Sequence, residues 1–111
     1  MDRSKVLSRL RSTRFAPGDR KQAMDDAIRI ADFLKRTYHA KVIGIGSLFE
    51  SPREFRATSD IDLLVIDLPA ERFLRACEEA DSMSDFLVEL VPWETANELI
   101  RRIGEQRGVT L

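Results

Sequence analysis

The stretch "GIGSLFESPREFRATSDIDLLVID", residues 44–67, decides how this chain is read. It opens on a glycine corner, crosses a polar loop and ends in an apolar run headed by Asp60 and Asp62. Strands avoid Asp, so two of them at the start of "IDLLVID" need a reason. Residues two apart on a strand share a face, roughly 7 Å apart along it. Asp60 and Asp62 then project together, while Ile61, Leu63 and Val65 turn to the other, core-forming face. Two explanations stand side by side. "SDID" is an ordinary turn entering a strand, or the carboxylates, which repel each other, hold a hard cation such as Mg²⁺ or Mn²⁺.

Upstream, "KVIGIGS" reads as a short buried strand running out into glycines. Gly44 and Gly46 permit tight turning and close approach of backbone to a ligand. A helix beginning after Ser47 would offer its free N–H groups and dipole to an anion, with the Ser47 hydroxyl as a further donor. Downstream, "FLVELVPWE" (residues 86–94) reads as a strand interrupted by Glu89. A charge there faces water at a sheet edge, or a partner, or a metal. If this strand lies beside the one bearing Asp60 and Asp62, the three carboxylates converge. Glu89 is then one metal ligand and the candidate general base. Two ions about 3.5–4 Å apart serve in-line phosphoryl and nucleotidyl transfer.

The other elements frame this segment. Val6, Leu7 and Leu10 have helical spacing in a basic N-terminal segment, residues 1–18, closed by Pro17-Gly18. Asp19 and Gln22 have the spacing of a capping box. Met24, Ala27, Ile28, Ala31, Leu34 and Tyr38 form an apolar helical stripe. Pro69 suits the first turn of a helix whose inner face is Phe73, Leu74, Cys77 and Ala80. A last helix carries Ala96, Leu99, Ile100 and Ile103 and ends at Gly104, and "GVTL" closes with a short strand. The order α, α, β, β, α, β, α, β predicts a single α/β (α+β) domain over residues 1–111, a small mixed sheet with helices packed against it.

Composition narrows the function classes. Apolar residues at 43 % and charged ones at 33 % suit a globular chain rather than a disordered one. Residues 1–21 carry seven basic and two acidic groups, +5; the remaining ninety carry eleven and seventeen, −6. A basic end on an acidic body guides an acidic partner or is a solvated helix end. It lacks an aromatic-rich platform, so nucleic acid is not the expected partner. Cys77 alone excludes an internal disulfide and a cysteine-rich zinc site and reads as a small buried apolar residue. His39 reads as a helix C-cap or surface group. Phe49 and Trp93 read as core or partner contacts, or as stacking surfaces for a base. No apolar run is long enough for a membrane span and no signal-peptide core is visible, so the expected location is cytoplasmic.

Together, Gly46-Ser47, the loop 48–59, Asp60-Ile61-Asp62 and Glu89 resemble the nucleotidyltransferase superfamily that includes DNA polymerase beta. Size and element order are most similar to its minimal single-domain members, and the resemblance runs from about Ala23 to Leu111. It implies that Asp60, Asp62 and Glu89 bind two Mg²⁺ (or Mn²⁺) ions. It gives Gly46 and Ser47 the triphosphate of ATP, with Arg53 and Arg56 as further phosphate contacts. It implies transfer of a nucleoside monophosphate, AMP from ATP, to a hydroxyl with release of pyrophosphate. Many minimal members are encoded beside a helical HEPN-type ribonuclease toxin, and some act as antitoxins by adenylylating its tyrosine. That makes a HEPN-type protein the expected partner, in a homo- or hetero-oligomer. "LFES" stands where many relatives have a small-Arg-Gly segment. This motivates an alternative, a catalytically degraded module that neutralises its partner by contact.

Overall fold

The computed structural model describes residues 19–50 and 61–111; the basic segment 1–18 and the loop 51–60 lie outside the described residues. The described chain runs α1 (Asp19–Tyr38), β1 (Lys41–Ile45), α2 (Ser47–Glu50) and β2 (Ile61–Ile66). After a 3₁₀ turn (Ala70–Arg72) come α3 (Phe73–Ser82) and β3 (Val88–Pro92). A second 3₁₀ turn (Trp93–Thr95), α4 (Glu98–Arg107) and β4 (Val109–Thr110) complete it. The expected α+β architecture is present: four strands in the order β3-β2-β1-β4, with helices against the sheet.

β2 is antiparallel to β1 and parallel to β3, and β4 pairs antiparallel with β1. A parallel neighbour requires the chain to cross back, and the segment holding α3 makes that crossing. Strand alternation divides the sheet into two faces. Ile61, Leu63 and Val65 with Val42 and Leu90 share one, buried in a single cluster with Ala23, Ala27, Ile30 and Leu34 of α1 and Ala76 and Ala80 of α3. Each fully buried Leu, Ile or Val contributes roughly 1.5–3 kcal/mol. Leu64 points the other way and is also fully buried; it lies beneath α4, where a methyl on Gly104 would come 2.5 Å from its Cδ1.

That close approach corrects one expectation. Gly104 does not end the last helix; it sits buried inside α4, which runs on to Arg107 and closes at Gly108. Three apolar residues assigned to inner faces are instead exposed: Ile28 (52 %), Leu74 (77 %) and Leu99 (64 %). Ile28 and Leu74 each lie about 200° around the helix from the residue two positions on that takes the inward place, and Leu99 lies about 100° from Ile100. Ile30 is buried on α1 and Ala76 on α3, whereas Ile100 and Ile103 turn inward only in part on α4. Gln22 donates to Asp26 (2.9 Å), a contact that the capping-box spacing with Asp19 did not anticipate. His39 behaves as expected of a helix end: it is exposed and left-handed, with φ 57°.

Asp26 fastens α1 to the turn before β3. It is 3 % exposed. Its Oδ1 accepts from Gln22 Nε2 and from Arg29 Nη2 (2.7 Å), and its Oδ2 from Ser84 Oγ (2.7 Å). Ser84 Oγ in turn accepts from the Phe86 amide (3.0 Å), and Arg29 also donates to the Met83 carbonyl (3.0 Å). Asn at position 26 keeps the shape but loses the charge and turns a donor toward donors. Asp26→Asn is expected to lower unfolding stability by about 1–2 kcal/mol, read from the urea midpoint; an unchanged midpoint would show that these bonds do not hold the turn.

At the far end of α1, the Tyr38 hydroxyl donates to the Glu79 carboxylate, which also faces Arg75 Nε at 3.3 Å. The bond to Glu79, then burial, then the Glu79 charge hold the phenol above its ordinary pKa. A raised folded-state pKa contributes stability below the unfolded value, lost as pH rises through the folded one. Stability is therefore expected to fall above about pH 10, with a shallower fall in Tyr38→Phe. Identical alkaline limbs would mean that Tyr38 does not contribute.

Candidate active site

β1 ends at Ile45 and the chain turns at Gly46, whose φ of +86° is a conformation L side chains rarely adopt. α2 follows at Ser47, so a helix begins where an anion site was expected. The turn is closed by the Phe49 amide donating to the Gly46 carbonyl (3.0 Å). Leu48 is buried, and the Phe49 ring lies over Gly44, where a Cβ would come 2.4 Å from it. Phe49 is thus a packing residue, and the glycine at 44 makes room for it.

Strand register decides which carboxylates meet. Asp62 pairs with Ile45 on one side and with Glu89 on the other. Neighbouring strands lie about 4.8 Å apart, and paired residues share a face, so Asp62 and Glu89 leave the sheet from adjacent positions on one face. Gly46 closes the other flank: a methyl there would lie 2.8 Å from Asp62 Oδ2. The three features read separately from the sequence, the Gly-Ser corner, the second Asp and the strand Glu, occupy one end of the sheet. Asp60, Arg53 and Arg56 fall outside the described residues.

Asp62 is half-buried and Glu89 exposed, and both make further polar or electrostatic contacts within the chain. Two carboxylates on adjacent strands repel by on the order of 1–3 kcal/mol at partly solvated sites; a bound cation relieves this. Their all-oxygen donor set suits Mg²⁺ or Mn²⁺ rather than a soft metal. Among the described residues no group of three His, Cys, Asp or Glu side chains is gathered; the pair is what the described fold supplies.

Trp93 lies four residues beyond Glu89, about 13 Å along an extended chain. It packs against Gly104 with the Arg101 guanidinium 5.6 Å from its ring centre. Arg101 also donates to the Trp93 and Glu94 carbonyls (2.9 and 2.8 Å). Trp93 therefore clasps α4 to the end of β3. Cys77 is half-buried, and burial first, then the charges of Asp81, Glu78 and Glu89, hold its thiol above the ordinary value, consistent with a packing role.

Sequence reasoning did not single out Arg20, whose Nη2 donates to the Leu48 carbonyl (2.7 Å). Nothing in local spacing signals a contact across 28 residues. Asp26 was also missed, although its place between Ala23 and Ile30 lies on the inward stripe. No helix among the described residues is long and apolar enough to cross a membrane. No known family model matches the chain, and a search of curated proteins gives no match.

Proposed function

We propose that this chain is a metal-dependent nucleotidyltransferase that moves AMP from ATP to a hydroxyl of a partner protein. Its partner is a helical HEPN-type toxin, for which it serves as antitoxin. The observation that carries this reading is the in-register pairing of Asp62 with Glu89 beside the left-handed Gly46. It puts acidic donors next to a backbone turn that a phosphate can approach closely. Asp62 and Glu89, joined by Asp60, would hold Mg²⁺ or Mn²⁺, which supplies charge neutralisation for the phosphates. Gly46 and Ser47 bind the triphosphate. Glu89, open to solvent, takes the proton of the acceptor hydroxyl. The acceptor oxygen bonds the α-phosphorus, the bond to the β-phosphate oxygen breaks, and pyrophosphate leaves.

The test is ATP and GTP binding by calorimetry with and without Mg²⁺, followed by label transfer from ATP to the HEPN-type protein. Mg²⁺-dependent ATP binding and label on the partner are expected. No nucleotide binding with either metal would overturn the reading. The use of Leu48 and Phe49 as packing residues favours a second reading, a non-catalytic module that neutralises by contact. That reading requires Asp60→Asn/Asp62→Asn to neutralise the partner as well as the parent does.

A further inference from the structure

We infer that Arg20 is a positioning residue for the phosphate-holding turn; the inference rests on the assignment of Gly46-Ser47 to the triphosphate. α2 is four residues long, far too short to hold its own conformation in water. It is fixed from outside, by Leu48 in the core, by the Phe49 ring on Gly44 and by one long-range polar bond. That bond runs from Arg20 Nη2 on the first turn of α1 to the Leu48 carbonyl, 2.7 Å away. Carbonyls at the end of a helix have no partner within it, so the guanidinium ties down the carbonyl next to the Phe49 amide that closes the turn.

The rest of the Arg20 guanidinium is less well served. Its Nε is buried and has no hydrogen-bond partner. A buried cationic N–H without an acceptor is uncommon, and stability alone would favour a smaller apolar side chain there. The arrangement makes sense where the bond to the Leu48 carbonyl, which an apolar side chain could not make, is what the position is kept for. Arg20 does not touch the nucleotide; it acts through Leu48 on the orientation of the Gly46–Ser47 backbone. Lysine places a point charge rather than a planar fork, so it would replace the charge but only part of the geometry.

The experiment compares Arg20→Met and Arg20→Lys with the parent in the full chain. Three quantities are read: hydrogen exchange of the Phe49 amide, the Kd for ATP with Mg²⁺, and the Kd for Mn²⁺ alone by electron paramagnetic resonance. Arg20→Met is expected to speed Phe49 exchange and weaken ATP binding by about tenfold each, with Mn²⁺ binding within about twofold. Arg20→Lys should recover part of both. Unchanged Phe49 exchange in Arg20→Met overturns the inference. So does an equal loss of ATP and Mn²⁺ binding, which marks general destabilisation. If the parent binds no ATP, the nucleotidyltransferase reading fails on that result. The exchange measurement still decides whether Arg20 orders the turn. If Arg20→Met does not fold, Arg20→Lys decides by the same criteria.

Discussion

Asp62→Asn is expected to weaken Mg²⁺-dependent ATP binding by about 10–100-fold, and Glu89→Gln to leave binding within several-fold while slowing AMP transfer by about 10²–10⁴-fold. The difference follows from where the two carboxylates stand. Asp62 is half-buried between Gly46 and β3, next to the turn assigned to the phosphates. Asn there supplies one neutral oxygen where an anion stood. Glu89 is exposed on the edge strand, where an incoming hydroxyl can reach it, and Gln keeps a coordinating oxygen but cannot take a proton. Calorimetry and a label-transfer time course separate the two effects. Equal loss of binding in both variants would mean that Glu89 serves the metal alone and leave the base elsewhere. Parent-like binding and transfer in both would remove the carboxylate pair from the chemistry.

Gly46→Ala is expected to cost about 2–3 kcal/mol of stability and to weaken ATP binding by at least about tenfold. Two independent causes act at one position. A φ of +86° costs a side-chain-bearing residue roughly 1–2 kcal/mol. The added methyl also meets Asp62 Oδ2 at 2.8 Å, so either the carboxylate rotates away or the turn opens. Both displace groups assigned to the same ligand, and misplacement by about 1 Å is enough to cost 10²-fold in a positioned site. Denaturant unfolding and ATP calorimetry on the variant check the two parts separately. Normal binding by a destabilised Gly46→Ala would show that the glycine serves the turn alone.

Much of this architecture was legible because its signals are local. Helical spacing marked α1 and α3, apolar runs marked β1 to β3, and "GVTL" marked β4, since each depends on a period that neighbouring residues display. The Gly-Ser corner, Asp62 and Glu89 announced themselves as residues that contradict their surroundings: flexible or charged positions in strands that otherwise read apolar. Local signals fail where burial is set by what lies opposite. Ile28, Leu74 and Leu99 are as apolar as their neighbours, yet each is exposed, and smaller or differently placed residues fill the interface. Gly104 looks like a stop signal in one dimension and is a contact with Leu64 in three.

By itself the sequence determined the type and order of the main described elements from α1 onward and the carboxylates that stand out in apolar strands, because period, charge and backbone freedom are properties of short segments. The tertiary structure decided that β2 lies between β1 and β3, and in which register. A shift of one residue would have sent Glu89 to the face opposite Asp62. It also decided that Arg20 reaches Leu48 and that Asp26 reaches Ser84. Those partners lie 28 and 58 residues away in the chain, and only packing the helix across the sheet brings them within a hydrogen bond.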